Sequence, residues 1–412
     1  MTRYFLVLRV LIVFGSAMCV FGENQHFKLA IGARSRLIST PYGALPDSQF
    51  SEQDSDSELR QTHPAHDGPW GDLEYYIFYL QHPNTEDNAE LFSEQMYWCF
   101  PGHTEAEAIR KLEKIGISKS VLQKNSYMSI VSKELRIVPT GRLIMTLTPE
   151  IRSRLRMLLR RWPEKNPYYA YPIVIESGDP VSWYTGAGLT LQSAELIRSL
   201  CYSQKGIVVF SDVPYVLSRI TDPEERNSFL RSLFRTRTLM LRLTINDDSR
   251  LNSIRNYWAI DNRRKEVLPI FNSIAETRGV EKLDVIHLLP STARKRLYTF
   301  PEKDSKIYCH LACMEFYGIV PEWRDVHSDE WADVFKTYFI PAKGDLQFGD
   351  VVVLFNQETD EPIHSTVYIA DDIFYTKNGF LSYRPWIFMF WSDIISLYGF
   401  NEGTYAKVYR LP

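Results

Sequence analysis

What the chain lacks narrows its chemistry before any motif is read. It has almost no net charge, −3 from 47 Lys and Arg against 50 Asp and Glu, so nothing marks a nucleic-acid or anionic-membrane partner. Cysteine is scarce, five in 412 residues. Cys19 lies in the apolar N-terminus behind Met18, too bulky for a lipid-attachment site. The other four do not space as a disulfide framework. Cys99 and Cys201 are isolated, and Cys309 and Cys313 lie four apart on one helical pattern, where side chains diverge. A Cys99–Cys201 bridge stays open at this point, two buried free thiols being the plainer reading. Gly186 and Gly188 are too few for a phosphate loop. His63 and His66 have a metal-like spacing, but no cysteine or further histidine stands near, so no metal is expected. No internal repeat is visible.

Residues 4–21 are apolar except for Arg9, Gly15 and Ser16, and the apolar core from 10 to 21 is short for a bilayer span. With Arg3 ahead of it and Val20 and Gly22 fitting the small-residue rule, residues 1–22 are expected to be a signal peptide cleaved after Gly22. The protein is then exported, periplasmic or extracellular, with no stable membrane span.

The rest has globular composition, 45 % hydrophobic and 24 % charged. Aromatics reach 14 %; their large rings suit clefts for carbohydrate or peptide, but they are spread along the chain as core residues are. Residues 23–68 are polar, with the run Ser-Glu-Gln-Asp-Ser-Asp-Ser-Glu at 51–58, and are expected to be a disordered linker. Residues 69–295 follow as an α-rich mixed domain of unknown role. Helices are predicted at 104–115, from Pro149 onward, at 189–202 and at 223–234, the last with Asp222 and Glu225 in a capping-box pattern. Strict alternation at 238–245 predicts a strand, and 135–147 reads as a hairpin turning at Thr140-Gly141. The arginines of the 149–162 helix (Arg152, Arg154, Arg156, Arg160, Arg161) read as a solvated face.

Chemistry concentrates in residues 296–412. Cys309, Ala312, Cys313, Phe316 and Tyr317 form one helical stripe suited to packing on a sheet, with Cys309 in the first turn. There the unpaired N–H groups favour thiolate, whereas Cys313, one turn deeper, suits packing. Downstream, 351–355, 363–370 and 373–377 read as three strands, with a tight hairpin at Asp371-Asp372. His364 opens the second strand and shares a face with Thr366 and Tyr368. A cysteine at a helix start followed by a histidine on a sheet is a pattern for nucleophilic catalysis.

The segments Gly349-Asp350-Val351-Val352-Val353-Leu354-Phe355 and His364-Ser365-Thr366-Val367-Tyr368-Ile369-Ala370-Asp371 resemble the NlpC family of papain-like cysteine peptidases. The family's pattern is a Gly-Asp-hydrophobic strand, then His-x-Gly-hydrophobic-Tyr-hydrophobic-Gly. The likeness covers roughly residues 300–380, in the order cysteine before histidine. It implies an α+β fold: an NlpC-type papain-like domain, a nucleophile helix on an antiparallel sheet, following the α-rich domain. It further implies hydrolysis of cell-wall peptide amide bonds, without metal or cofactor. Carried onto this sequence, Cys309 is the nucleophile and His364 the base. The family's third polar residue falls twelve after the histidine, at Thr376. Asn378, on the same strand face, is the other candidate to orient His364, and Lys377 is expected to point to the opposite face. The nucleophile motif, usually Asp-Cys-Ser-Gly, is Tyr308-Cys309-His310-Leu311 here. That departure admits two alternatives: a catalytically degenerate binding module, or acyl transfer or thioester chemistry from the same dyad.

Overall fold

The computed structural model describes residues 62–412 apart from 83–95, 177, 205–206, 246–250, 261–262, 278–279, 303–304, 306, 320–330, 380–381 and 399–403. The expected leader at 1–22 and most of the expected linker lie outside the described residues. The fold is α+β: short helices alternate with strands gathered into four sheets, and every pairing between strands is antiparallel.

The first sheet has the order β1 (His63–Pro64), β2 (Asp72–Leu80), β9 (Thr236–Thr244), β10 (Lys282–Asp284). Two small sheets follow, β3 (Trp98–Pro101), β5 (Glu134–Pro139), β4 (Ser126–Val131), and β6 (Ile173–Ile175), β8 (Ile207–Phe210), β7 (Tyr202–Gln204). The last is six-stranded, β11 (Ile340–Pro341), β16 (Thr404–Arg410), β12 (Val351–Asn356), β13 (Pro362–Ala370), β14 (Ile373–Lys377), β15 (Trp386–Phe390). Among the described residues, no helix is long and apolar enough to cross a membrane.

Several local readings are replaced. The hairpin expected over 135–147 is displaced: β4 and β5 turn at Ser132-Lys133, whose φ values of 50° and 66° give the left-handed pair that a tight two-residue turn needs. Thr140 instead caps the helix Gly141–Thr146, its Oγ1 accepting from the N–H of Leu143 at 3.3 Å. The arginine-bearing helix Pro149–Leu159 is not solvated all round. Arg152 is buried and donates to Asp212 and to the carbonyl of Ile144, and Arg156 is buried against Ala170. A buried carboxylate partner, invisible in the local pattern, makes such burial tolerable. Asp222 does cap the helix Pro223–Ser232, but Glu225 does not close a box. Its carboxylate accepts from Thr190 N–H and Oγ1 at 2.8 and 2.7 Å, tying two helix starts together. The described residues begin inside the expected linker, where His63 and Pro64 pair with Tyr75 and Glu74. Cys99 and Cys201 are both free thiols.

The largest core joins the first and last sheets. Leu239, Leu241 and Leu243 of β9 pack in one cluster with Cys313 and Phe316, with Val351 and Val353 of β12, and with Val367, Tyr375 and Phe388. This core runs across position 295. Polar bonds stitch the same seam: Thr238 Oγ1 donates to the carbonyl of Phe388 at 3.0 Å and accepts its N–H at 3.1 Å, and Tyr298 donates to the carbonyl of Leu239 at 2.6 Å.

Candidate active site

Two elements build the site, the helix Cys309–Phe316 and the strand pair β13–β14. All eight helix residues are buried, the polar His310 and Glu315 among them, so the helix is covered on every side. One side packs on the sheet, Phe316 meeting the ring of Tyr375 with centroids 5.2 Å apart. On another, His310 stacks on Trp331 at 4.1 Å, and Glu315 pairs with Arg296 at 3.4 Å. Behind it, Tyr317 donates to the carbonyl of Gly349, whose φ of +91° and nearness to that hydroxyl (2.7 Å from an added Cβ) leave room only for glycine.

The helix starts where the sequence predicts. Tyr308 is its N-cap, without a side-chain cap bond, and Cys309 is its first residue. Cys309 is 6 % exposed, and the backbone N–H groups of Ser365, His310 and Cys309 itself act to lower the pKa of its thiol. Those donors and the nearby Lys377 ammonium favour thiolate, yet burial outweighs them and the thiol is pushed up from its ordinary value. Helix position alone thus does not set the ionisation of this cysteine. Cys313 is 1 % exposed in the core, and burial pushes its thiol well up.

Alternation sorts the strand residues between the two faces of the sheet. Register pairs Val367 with Tyr375, Thr376 with Ile387 and Lys377 with Trp386. Val367, Tyr375 and Trp386 belong to the core under the helix Cys309–Phe316, and Ser365 shares a bond of 2.5 Å with Nδ1 of His310 on that helix. Lys377 is on this face too, as expected from its offset to Thr376. His364 leaves the other face, where its ring stacks on Tyr398 of the helix Trp391–Tyr398 with centroids 3.9 Å apart. Its Nε2 shares a hydrogen bond of 2.9 Å with Thr376 Oγ1, the position twelve residues on. Its Nδ1 is buried with no hydrogen-bond partner, and burial, with His310 nearby, holds the imidazole well below its usual value.

Among the described residues no hydrogen bond joins His364 to Cys309, while His364 and Thr376 do meet. Asn378 meets the imidazole only through Tyr398, whose ring stacks on His364. Its Oδ1 accepts from Tyr398 Oη at 3.3 Å, and its Nδ2 faces the sulfur of Met389 at 3.5 Å. Trp386 is a core residue. Sequence reasoning passed over three groups around the sulfur: Ser365, His310 and Lys377. The available signal was a lysine closing the otherwise uncharged strand Ile373–Lys377, buried at every position.

No family model, no curated protein and no solved structure matches the chain.

Proposed function

We propose that the C-terminal sheet and its buried helix form a thiol-dependent hydrolase centre of NlpC type, with Cys309 as nucleophile and an amide of cell-wall peptide as substrate. The observation that carries this reading is the position of Cys309 as the first residue of a buried helix packed on an antiparallel sheet, where backbone N–H groups act to lower its thiol pKa. Such donors stabilise thiolate in the ground state. Unpaired N–H groups in a first helical turn can also hold negative charge as it develops on an attacked carbonyl. Sulfur adds to the carbonyl carbon, the C–N bond breaks, and the amine leaves with a proton. Water then cleaves the thioester and returns the thiol. Export through residues 1–22 would deliver the centre to a wall substrate.

A second reading, a binding module without turnover, is favoured by the His364–Thr376 bond and by the altered nucleophile motif. One experiment separates the two. Purified chain is incubated with wall sacculi, and released peptide is measured for wild type, Cys309→Ala and Cys313→Ala. Hydrolysis predicts product lost with Cys309→Ala and kept with Cys313→Ala, the latter losing about 1 kcal/mol of stability from its small cavity. Retention on sacculi without product from any variant supports the binding module instead. Product release unchanged by Cys309→Ala ends the thiol assignment.

A further inference from the structure

A concavity between the two small sheets shares no lining residue with the helix Cys309–Phe316 or the last sheet. It has two parts, which meet at Met96 and Tyr215. The inner part is a pit of about 40 Å³, walled by the rings of Tyr97, Trp98, Tyr168 and Tyr215, with Ser211 and Asp212 just beyond β8 as its polar side. A water needs roughly 10–15 Å³ of such space and benzene about 150 Å³, so the pit takes a small substituent and not a ring. The outer part is open and wider, about 490 Å³, a size within the roughly 300–1,000 Å³ of small-molecule sites. Arg142 in the first turn of the helix Gly141–Thr146 and Arg219 at the end of the helix Val213–Arg219 both line it. Gly141 lets the Tyr215 ring in between them, since an added Cβ there would stand 2.9 Å from Tyr215 Cε2.

Charge is neutralised in the pit and left over outside it. Asp212 pairs with Arg152, and Tyr169 donates to its other oxygen at 3.1 Å while accepting from Trp98 Nε1 at 2.8 Å. Lys165, also on the wall of the pit, pairs with Glu134 at 2.7 Å. Arg142 and Arg219 are exposed, and among the described residues neither has a hydrogen bond or an ion pair. Two uncompensated guanidiniums on one concave surface favour an anion, and their planar forks suit carboxylate or phosphate. Each oxygen of Asp212 accepts one bond and keeps a lone pair, so the pit offers an acceptor to a hydroxyl or amide N–H. Ring faces beside such an acceptor suit a sugar, whose C–H faces cover aromatic surface while its polar edge needs partners. We propose that this concavity binds an anionic saccharide. The sugar ring lies on Tyr215 and Met96, a hydroxyl or acylamino substituent enters the pit against Asp212, and a carboxylate or phosphate is held by Arg142 and Arg219.

The test is calorimetric titration of the full chain with a galacturonic acid trisaccharide, glucose 6-phosphate, neutral maltotriose and inorganic phosphate. At least one of the two charged sugars is expected to bind, and the tighter of them names the charged group. Maltotriose and inorganic phosphate are each expected to bind about tenfold more weakly or worse, because each lacks one half of the recognised chemistry. Arg142→Gln and Arg219→Gln change exposed side chains and leave the core intact. Each should weaken the charged sugar by about tenfold, and the double variant by more. Cys309→Ala is expected to bind as wild type does, so failure of this site and failure of the thiol reading are told apart. Inorganic phosphate binding as tightly as the charged sugars would reveal a bare anion patch and overturn the proposal. So would maltotriose binding as tightly as they do, an affinity unmoved by both arginine variants, an affinity lost in Cys309→Ala, or no binding of either charged sugar.

Discussion

Both carboxylate oxygens of Asp371 lie 2.9 Å from Nδ1 of His66, and the backbone N–H of His66 donates to the same group at 3.0 Å. That bond raises the imidazole above its ordinary 6.5, with the Asp371 charge adding to it. A group whose folded pKa is raised stabilises fully below its unfolded value and loses that contribution as pH climbs through the folded one. The stabilisation is thus present below about pH 6.5 and fades above it, and solvent screening holds it to about 1 kcal/mol or less. Replacing His66 by Gln keeps the backbone bond and removes the titration. Melting temperatures of the two proteins should differ most near pH 5 and converge above pH 7 or so; a constant offset across that range would show that the imidazole charge is irrelevant. In the sequence His66 gave no hint of this, because its partner is 305 residues away. Lys377 was hidden for another reason: the two-residue period placed it opposite Thr376 but did not say which face the helix covers.

At the scale of elements, the last sheet was the most legible part of the chain. Strands expected at 351–355, 363–370 and 373–377 are found at Val351–Asn356, Pro362–Ala370 and Ile373–Lys377, and Thr404–Arg410 closes the chain as a further strand. Apolar runs bounded by Gly349-Asp350 and Asp371-Asp372 leave few other options. The same runs concealed the site, since β13 is buried from His364 to Ala370 on both faces and shows no polar side to orient it. The closing strand is held by a fork. Arg410 Nε and a terminal nitrogen donate to the two oxygens of Asp350 at 2.6 and 2.7 Å, and Asp350 also accepts the N–H of Gln347 at 2.8 Å. Asp350 is 1 % exposed, so Arg410→Met strands a buried carboxylate and should cost about 3 kcal/mol in urea unfolding. Adding Asp350→Asn to that variant should recover part of the loss, because the uncompensated charge is gone. A single-variant loss below about 0.5 kcal/mol would mean the pair is no better than a surface contact.

For the molecule as a whole, the core shared by the first and last sheets makes the C-terminal sheet and its helix dependent on residues far upstream. Each buried leucine of β9 contributes roughly 1.5–3 kcal/mol when covered, and its cover is the C-terminal sheet and helix. Residues 296–412 expressed alone should therefore lack a cooperative melt and bind dyes that report exposed apolar surface, whereas the full chain melts cooperatively. An isolated piece melting as sharply and as high as the full chain would show that the seam is dispensable. The His66–Asp371 clasp sits on this seam's outer end, joining the strap of residues 62–66 to the hairpin between β13 and β14. Any pull arriving through the preceding chain would meet the two rungs of β1 first, then the clasp, and only afterwards the hairpin. Acid tightens the clasp, so the grip of the fold on its own leading strap strengthens as the surroundings acidify, a mechanical property written into one ion pair.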